Sequence, residues 1–247
     1  MLNILVIIPA YNEAANIVPV VRRLQSTCPG YDFVVVNDGS HDETARLCRE
    51  NGFPLLDLPV NLGLSGAVGT GMKYAFEHGY DAAIQFDADG QHRPEYLPQL
   101  ADKLREGYDI VGGSRYLEKP KPITPRMLGS RLITLAILLT TGQKLTDPTS
   151  GQRIYSRRII HEFATQINHP PEPDTVSYLI RKGAKAAEIQ VDMNERTAGT
   201  SYLNSFNSIG YMLRMGFSIM VVQRFRGGSL PPVQPHAQHT DDKEQTS

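Results

Sequence analysis

The chain has 247 residues, of which 40% are hydrophobic and 21% charged, so it can bury a full core and is expected to form one globular unit with a small appendage. Its 25 basic and 26 acidic side chains give a formal net charge of -1, which argues against a protein that coats nucleic acid. The two cysteines, Cys28 and Cys48, are too few for a disulfide framework, and we expect buried thiols of a cytosolic protein.

Short apolar runs alternate with helical patterns along the first half of the chain. The predicted strands are residues 4–8, 33–36, 54–58, 82–86 and 109–112. Because these runs are apolar almost throughout, they predict an α/β fold with a mostly parallel sheet and helices on both faces. The first run leads directly into Pro9, which indicates a strand and not a signal peptide. Ser40 and Glu43 have the spacing of a capping box, which predicts that the second helix begins just after Gly39.

Two carboxylates, Asp87 and Asp89, follow the fourth predicted strand. Side chains two residues apart on an extended backbone project to the same side, so both can bind one hard cation, with the amide oxygen of Gln91 as a third ligand. A divalent ion with free coordination positions suits a diphosphate. Taken alone, an Asp-x-Asp pattern more often marks a turn that merely ends a strand.

Two further turns are expected at the same edge of the sheet, because the carboxyl ends of parallel strands meet there. Residues 9–13 follow the first strand and residues 37–40 follow the second. Tyr11 offers a ring that can lie beside a base, and Asp38 can accept a hydrogen bond from a base or a ribose. The glycine-containing segment 61–66 permits close backbone approach before a helix. Together the three turns predict a crevice for a nucleotide.

Five motifs in a fixed order resemble those of a known family. They are Ile-Pro-Ala-Tyr-Asn-Glu, Val-Val-Asn-Asp-Gly-Ser, Asn-Leu-Gly-Leu-Ser-Gly, Phe-Asp-Ala-Asp-Gly-Gln-His and Gly-Ser-Arg-Tyr. They are similar to family 2 glycosyltransferases of the GT-A fold, and within them to the dolichyl- or polyprenyl-phosphate mannosyl- and glucosyltransferase branch. The resemblance covers residues 1 to about 200 and implies an inverting transfer from a nucleotide sugar.

The resemblance also implies roles for individual residues. The nucleotide sugar would be bound by Pro9, Ala10, Tyr11, Glu13, Asp38, Asp87, Ala88 and Arg115. Mg²⁺ or Mn²⁺ would lie between the donor phosphates, bound by Asp89 with Gln91, and Asp87 would contact either the metal or the ribose. Arg115 would face phosphate. The catalytic candidates are therefore Asp89, Arg115 and Asp147, although Asp147 can be either a base or a structural acid.

The chemistry of the acceptor decides whether a general base is needed. A sugar hydroxyl needs one, whereas a phosphate monoester, with a second pKa near ~6, is already largely dianionic at neutral pH. Arginines can bind such a phosphate, and Arg126 and Arg131 flank the start of a helix predicted over residues 127–141. By the resemblance, Arg196 and Ser201 belong to the acceptor loop.

Two positions depart from the family pattern and put the acceptor in doubt, though not the donor. Residues 147–153 resemble the family's Asp-x-x-Ser-Gly-Phe-Arg segment, with Gln152 in place of the aromatic residue. In the acceptor loop, Tyr202 stands where a lysine is often found. If the acceptor is a hydroxyl, Glu172 and Asp174 are the other candidate bases.

Apolar residues recur at helical spacing from about residue 205 to 225, with arginines in the same segment. This pattern predicts an amphipathic helix that either lies in a membrane interface or packs on the sheet or a partner. No apolar run approaches the ~20 residues that span a bilayer. We expect a glycosyltransferase domain at 1–204, this helix at 205–226 and a disordered tail at 227–247.

These patterns predict a cytoplasmic, metal-dependent enzyme that moves a sugar from a nucleotide-diphosphate sugar to a polyprenyl phosphate at the inner face of the membrane. A saccharide acceptor in cell-wall or surface glycan synthesis is the enzyme alternative. A non-catalytic sugar-nucleotide-binding protein that supports a small membrane partner is the alternative of another class. A sugar-1-phosphate nucleotidyltransferase should carry a glycine-rich basic loop after the first strand, and residues 9–13 do not resemble one.

Overall fold

The computed structural model describes residues 2–165, 171–194, 205–225 and 230. The strands are β1 (Ile4–Ala10), β2 (Asp32–Asn37), β3 (Leu55–Asp57), β4 (Ala82–Gln85), β5 (Ile110–Ser114), β6 (Arg153–Ser156) and β7 (Ala186–Gln190). The helices are α1 (Ile17–Thr27), α2 (Thr44–Glu50), α3 (Gly63–Glu77), α4 (Leu97–Arg105), α5 (Pro125–Thr141), α6 (Arg157–Thr165), α7 (Pro173–Arg181) and α8 (Ser205–Met220). Two short 3-10 helices cover Pro94–Tyr96 and Val222–Phe225.

The strands form a 7-stranded sheet in the order β3-β2-β1-β4-β6-β5-β7. β1 pairs in parallel with β2 and β4, whereas β6 runs antiparallel between β4 and β5, and β5 pairs in parallel with β7. The prediction of a mostly parallel sheet is confirmed. Because β6 reverses direction, the carboxyl ends of β4 and β5 lie at one edge of the sheet, and the segment that enters β6 lies between them.

Helices cover both faces of the sheet, and the side chains of β1 point alternately to the two faces. Leu5 and Ile7 pack in a cluster with residues of α3 and α5 to α8, such as Met72. Ile4 and Ile8 pack in a second cluster with residues of α1 and α4, such as Leu100. The predicted two-sided burial of the strands is therefore confirmed.

The structure departs from the expected elements at several places. The predicted capping box does not form: the Ser40 hydroxyl accepts a hydrogen bond from the Asn12 amide at 2.9 Å, and α2 begins only at Thr44. The Thr44 amide instead donates to the Asp42 carboxylate at 3.0 Å. The Ser40 hydroxyl thus bonds to the neighbouring turn instead of capping α2.

Further differences concern the second half of the chain. The strands β6 and β7 were not predicted, since each is short and carries charged or polar residues such as Arg153 and Glu188. The helix expected over 205–225 ends at Met220 and is followed by the 3-10 helix. Within the described residues, none of the helices is both long and apolar enough to cross a membrane.

Both cysteines are buried, and neither forms a disulfide. Burial raises the pKa of Cys28 and of Cys48 to about 11, so both thiols stay protonated near neutral pH. Beyond residue 225 the structure describes only Leu230, which is buried in the core. The rest of the expected disordered tail lies outside the described residues.

Candidate functional site

The turns after β1 and β2 are bonded to each other. The Asn12 amide donates to the Ser40 hydroxyl, and the His41 amide donates to the Asn12 side-chain oxygen, each at 2.9 Å. Asn12 adopts a φ of 55°, which asparagine tolerates better than most residues. Tyr11 lies edge-on to His41, with ring centroids 6.4 Å apart, and is partly exposed. This arrangement holds the Tyr11 ring at the rim of the sheet edge, where a base could lie beside it.

The remaining nucleotide candidates on these turns are largely enclosed. Pro9 and Ala10 belong to β1 and are buried, and the Glu13 carboxylate accepts a hydrogen bond from the side-chain amide of Asn16 at 2.7 Å. Asp38 is 3% exposed, and one of its carboxylate oxygens accepts the Leu62 amide at 2.7 Å.

Gly39 lets the chain after Asp38 pass close to the segment before α3. Its φ is +65°, and a Cβ there would lie 2.6 Å from the carbonyl carbon of Val60. Only glycine fits this position without moving backbone. Asp38 and Gly39 together therefore position the turn before α3, in addition to any contact with a ligand.

The Asp87 carboxylate is surrounded by groups from three segments. The Gln85 side-chain amide donates to one oxygen at 3.1 Å, and the His92 Nε2 lies 3.6 Å from the other. The His92 Nδ1 accepts the Asp87 amide at 2.9 Å, so the neutral ring carries its proton on Nε2, facing the carboxylate. A Cβ at Gly151 would lie 2.9 Å from the second oxygen, so a residue with a side chain there would displace Asp87.

Asp89 lies on the same turn as Asp87 and is buried. One of its oxygens accepts the Gln91 amide at 3.0 Å, and Ala88 between the two aspartates is also buried. No group of three or more histidine, cysteine, aspartate or glutamate side chains arranged to hold a metal occurs in the part of the chain that the structure describes. The hard oxygen donors Asp87, Asp89 and Gln91 fit a divalent cation that takes its other ligands from a diphosphate or from water.

Arg115 and Asp147 form a buried ion pair at the end of β5. The guanidinium donates from Nε and Nη2 to the two carboxylate oxygens at 2.6 and 3.0 Å, and the Asp147 side chain is 0% exposed. Burial opposes the charged form of Arg115, but the hydrogen bonds to Asp147 and the charge of that carboxylate raise the pKa of the guanidinium above its ordinary value. Two of the three predicted catalytic residues, Arg115 and Asp147, are thus bonded to each other.

The loop 146–152 contacts both Arg115 after β5 and Asp87 after β4. Its residue Asp147 binds Arg115, while its residue Gly151 lies against Asp87. The Glu188 carboxylate on β7 accepts the Asp147 amide at 2.8 Å and the Thr146 hydroxyl at 2.8 Å, which holds the loop to the sheet. Movement of this loop would therefore displace both Asp87 and the Arg115–Asp147 pair.

The candidate acceptor residues fall partly outside the described structure. Arg196 and Ser201 lie there, and the side chain of Arg126 is likewise outside it. Arg131 is exposed on α5, with Nη2 donating to the Lys121 carbonyl at 3.0 Å. The Asn194 amide donates to the Gln91 carbonyl at 2.9 Å, so Asn194 lies beside the Asp89 turn.

Glu172 and Asp174 lie at the start of α7, near α8. Burial and then the charge of Asp174 raise the pKa of Glu172, while Arg214 acts in the opposite direction. Asp174 accepts hydrogen bonds from the Thr175 amide at 2.8 Å and from the Ser218 hydroxyl at 2.7 Å. Of the two, Glu172 therefore has more of the character of a general base.

Three residues of the site were not predicted from the sequence: Gln85, His92 and Glu188. Gln85 and Glu188 are polar residues inside strands, and a polar side chain in an otherwise apolar strand is the signal that could have indicated them. His92 stands inside a matched motif, but nothing in its spacing indicates that its ring turns back toward Asp87.

Known proteins resemble this chain along most of its length. A family profile described as "Glycosyl transferase family 2" matches residues 5–163. An undecaprenyl-phosphate mannosyltransferase of Micrococcus luteus is 31% identical over 215 residues, covering 82% of this chain and 88% of the relative. A polyprenol monophosphomannose synthase of Mycolicibacterium smegmatis is 30% identical over 217 residues and covers 82% of each chain.

A solved structure of similar fold is glucosyl-3-phosphoglycerate synthase from Mycobacterium tuberculosis, in complex with Mn²⁺, uridine-diphosphate-glucose and phosphoglyceric acid. It has a TM-score of 0.65 and 20% identity, and the match covers 90% of this chain and 79% of that one. At this identity the likeness shows the fold alone. The family profile and the relatives confirm the resemblance predicted from the motifs: the chain belongs to glycosyl transferase family 2 and is a glycosyltransferase.

Proposed function

We propose that this enzyme transfers a sugar from a nucleotide-diphosphate sugar to a polyprenyl phosphate. The carrying observation is the bonding of Asp147, a predicted base of the acceptor side, whose buried side chain accepts hydrogen bonds from Arg115 on both of its oxygens. Such a carboxylate is poorly placed to take a proton, and a phosphate acceptor does not require it to. The printed names of the relatives, which act on undecaprenyl phosphate and polyprenol, support the same acceptor.

The donor is proposed to lie along the carboxyl ends of β1, β2 and β4. Tyr11 would lie beside the base, with Pro9, Ala10, Glu13, Asp38 and Ala88 forming the wall of the crevice. Asp87, Asp89 and Gln91 would hold Mg²⁺ or Mn²⁺, which when bound offsets the negative charge that develops on the departing nucleoside diphosphate. Gln85 and His92 keep the Asp87 carboxylate oriented toward that position.

The protein groups then have separate tasks. Arg115, oriented by Asp147, presents its charge at the edge where the phosphates of donor and acceptor would meet. Arg131, and by the resemblance Arg196 and Ser201, would bind the acceptor phosphate. An acceptor that is already dianionic attacks the anomeric carbon without losing a proton, and attack opposite the leaving group inverts the configuration there.

A saccharide acceptor is the second candidate, and one observation favours it. Glu172 is half-buried, and its pKa is raised by burial and by Asp174, which is the direction that suits a general base. If a hydroxyl is the acceptor, Glu172 or Asp174 becomes indispensable for transfer.

A membrane-facing surface is proposed on α5 and α8. The two helices pack closely, since a Cβ at Gly129 would lie 2.5 Å from the Met212 Cγ. Exposed apolar side chains continue along both helices: Leu128, Leu132, Leu135 and Leu139 on α5, and Leu213, Phe217 and Met220 on α8. Arg131 and Arg214 border them and suit anionic headgroups. The enzyme would thus work at the cytoplasmic face of the membrane, and a small membrane partner protein stays a prediction.

Vesicle co-sedimentation tests this surface. Leu132→Glu with Phe217→Glu should reduce binding to vesicles of phosphatidylglycerol and phosphatidylcholine about tenfold or more. The exposed Leu64→Glu, which lies on α3, is the matched control and should bind as the wild type does. Equal binding of all three proteins would contradict the proposal.

The function itself is tested with a panel of nucleotide sugars and Mn²⁺, with farnesyl phosphate or farnesol as the acceptor, by measuring nucleoside diphosphate release. We expect at least one donor for which farnesyl phosphate stimulates release and farnesol does not. Stimulation by a saccharide instead would support the second candidate.

A further inference from the structure

A cluster of cationic side chains surrounds Tyr116, just after β5. The Arg115 Cζ lies 5.3 Å from the centre of the Tyr116 ring, and the Lys121 ammonium lies 5.7 Å from it. Arg131 approaches the same segment through its hydrogen bond to the Lys121 carbonyl at 3.0 Å. Three cations are thus gathered at the edge of the sheet where phosphates are expected.

The cluster has more positive than negative charge. Asp147 balances Arg115, but within the described residues neither Lys121 nor Arg131 has a carboxylate at ion-pair distance. Like charges held close together without a counter-charge are unfavourable, and a bound anion would relieve them.

Lys121 is held in place by a buried partner that is neutral, the hydroxyl of Ser130, whereas the buried partner of Arg115 is a carboxylate. Its ammonium is half-buried and donates to the hydroxyl of Ser130 at 2.9 Å, and Ser130 is 0% exposed. In the part of the chain that the structure describes, this is the ammonium's one hydrogen-bond acceptor, although an ammonium has three donors. A fixed, partly desolvated ammonium with donors to spare is suited to bind an anionic oxygen.

The electrostatics of Lys121 agree with that geometry. Burial lowers the pKa of Lys121 from its ordinary value, and Asp147 and Glu188 act in the opposite direction. Arg115 and Arg131 lower it further. The charged form of Lys121 is therefore at a disadvantage that a phosphate dianion would remove.

The position of the cluster fits an amphiphilic ligand. Ser130 and Arg131 lie in the second turn of α5, and the exposed apolar residues Leu128, Leu132 and Leu135 start beside them. A phosphate near Lys121 could continue into an apolar chain along that helix. The donor's diphosphate offers the same anionic oxygens as the acceptor's phosphate. The binding of both ligands therefore has to be measured.

We propose that Lys121, held by Ser130 and accompanied by Arg131, forms a subsite that binds the phosphate group of the acceptor. The proposal rests on the function proposed above. Lys121 stands outside the five matched motifs, and its role follows from the packing of the segment after β5 against α5.

The test measures both binding and turnover with farnesyl phosphate. Lys121→Met keeps the length of the side chain without its charge, and Lys121→Arg keeps the charge. Lys119→Met is the matched control. Lys119 lies two residues before Lys121, is exposed, and pairs with Asp192 at 2.5 Å. We expect Lys121→Met to raise the Kd and the KM for farnesyl phosphate about 10- to 100-fold, as for a lost hydrogen bond to a charged group.

The same variant should leave the KM for the nucleotide sugar within about twofold, and Lys121→Arg should stay within about fivefold of the wild type for farnesyl phosphate. Unchanged affinity of Lys121→Met for farnesyl phosphate would overturn the subsite. A change in the KM for the nucleotide sugar that exceeds the change for farnesyl phosphate would also overturn it, because Lys121 would then bind the donor's diphosphate. If the wild type binds farnesyl phosphate no better than farnesol, the proposed function fails together with the subsite. If it binds farnesyl phosphate but Lys121→Met binds equally well, only the subsite fails.

Discussion

The donor side and the acceptor side of this sheet edge are built differently. On the donor side, Asn12 and Ser40 connect neighbouring turns, and Asp87 and Asp89 lie on one turn, so each contact joins residues inside or between short motifs. On the acceptor side, Arg115 pairs with Asp147, 32 residues along the chain, and Asp147 is held by Glu188, 41 residues further on. The donor side depends on hydrogen bonds of turn residues, and the acceptor side on a buried carboxylate paired with an arginine.

The largest expected effect tests the donor side. Asp89→Asn removes a negative charge from the proposed metal ligands while keeping the shape, and should lower kcat about 100-fold or more. Steady-state kinetics measure this, with the exposed Asp102→Asn as a control that should behave as the wild type does. Full activity of the wild type in EDTA would contradict the metal's part in the account.

The acceptor side should respond to charge removal mainly through stability. Asp147→Asn leaves Arg115 without its partner and should lower the free energy of unfolding by roughly 2–3 kcal/mol, less than for a fully buried pair because Arg115 keeps some exposure. Its kcat, measured on folded protein, should stay within about tenfold if no base is needed. Urea unfolding provides the measurement.

A matched control for Asp147→Asn is Asp192→Asn, which breaks the exposed pair with Lys119 and should lower the free energy of unfolding far less, because water screens that pair. Equal losses of stability in the two variants would mean that the buried pair does not distinguish the acceptor side.

The contact between the two sides can be changed at Gly151. In Gly151→Ala the new Cβ would lie 2.9 Å from the Asp87 carboxylate and 3.4 Å from the His92 ring, so Asp87 must shift. We expect the donor KM to rise about tenfold, because small displacements of site groups are costly. Gly69→Ala is the control, since a Cβ there meets nothing within 4 Å. An unchanged donor KM in Gly151→Ala would show that the loop 146–152 does not constrain Asp87.

The donor side was the more predictable of the two, and the reason is physical. β1, β2 and β4 are continuous apolar runs with polar turns at their ends, and both features can be read locally. The capping box failed because the Ser40 hydroxyl bonds to Asn12, a residue from another turn. Local propensity cannot reveal such competition.

On the acceptor side the strands β6 and β7 escaped prediction because polar and charged residues interrupt their apolar pattern. β6 begins with the buried Arg153, whose guanidinium donates to the carbonyl of Pro171 at 2.8 Å, so no apolar run indicates that strand. Gln152, which departs from the family pattern, is fully buried and donates to the Arg93 carbonyl at 3.1 Å. The departure is therefore accommodated in the core and does not face an acceptor.

The smallest expected effect concerns Glu172. Its pKa is raised in the folded protein, so the folded state holds a proton more tightly than the unfolded state does. Stability contributed by this group is therefore present below the ordinary glutamate pKa of ~4.3 and is lost as the pH rises through the raised value. Glu172→Gln should show a smaller fall in the free energy of unfolding over that window, measured by urea unfolding at a series of pH values. An identical pH dependence in both proteins would contradict the raised pKa.

Identification of the product distinguishes transfer to a lipid phosphate from hydrolysis, which also releases nucleoside diphosphate. The enzyme would be incubated with Mn²⁺, its best nucleotide sugar and either farnesyl phosphate or farnesol, and the products identified by mass spectrometry, with Asp89→Asn as the background. Transfer to a lipid phosphate gives a glycosyl farnesyl phosphate with the wild type, persisting in Glu172→Gln. Sugar attached only to a hydroxyl acceptor, with loss of the product in Glu172→Gln, would contradict it.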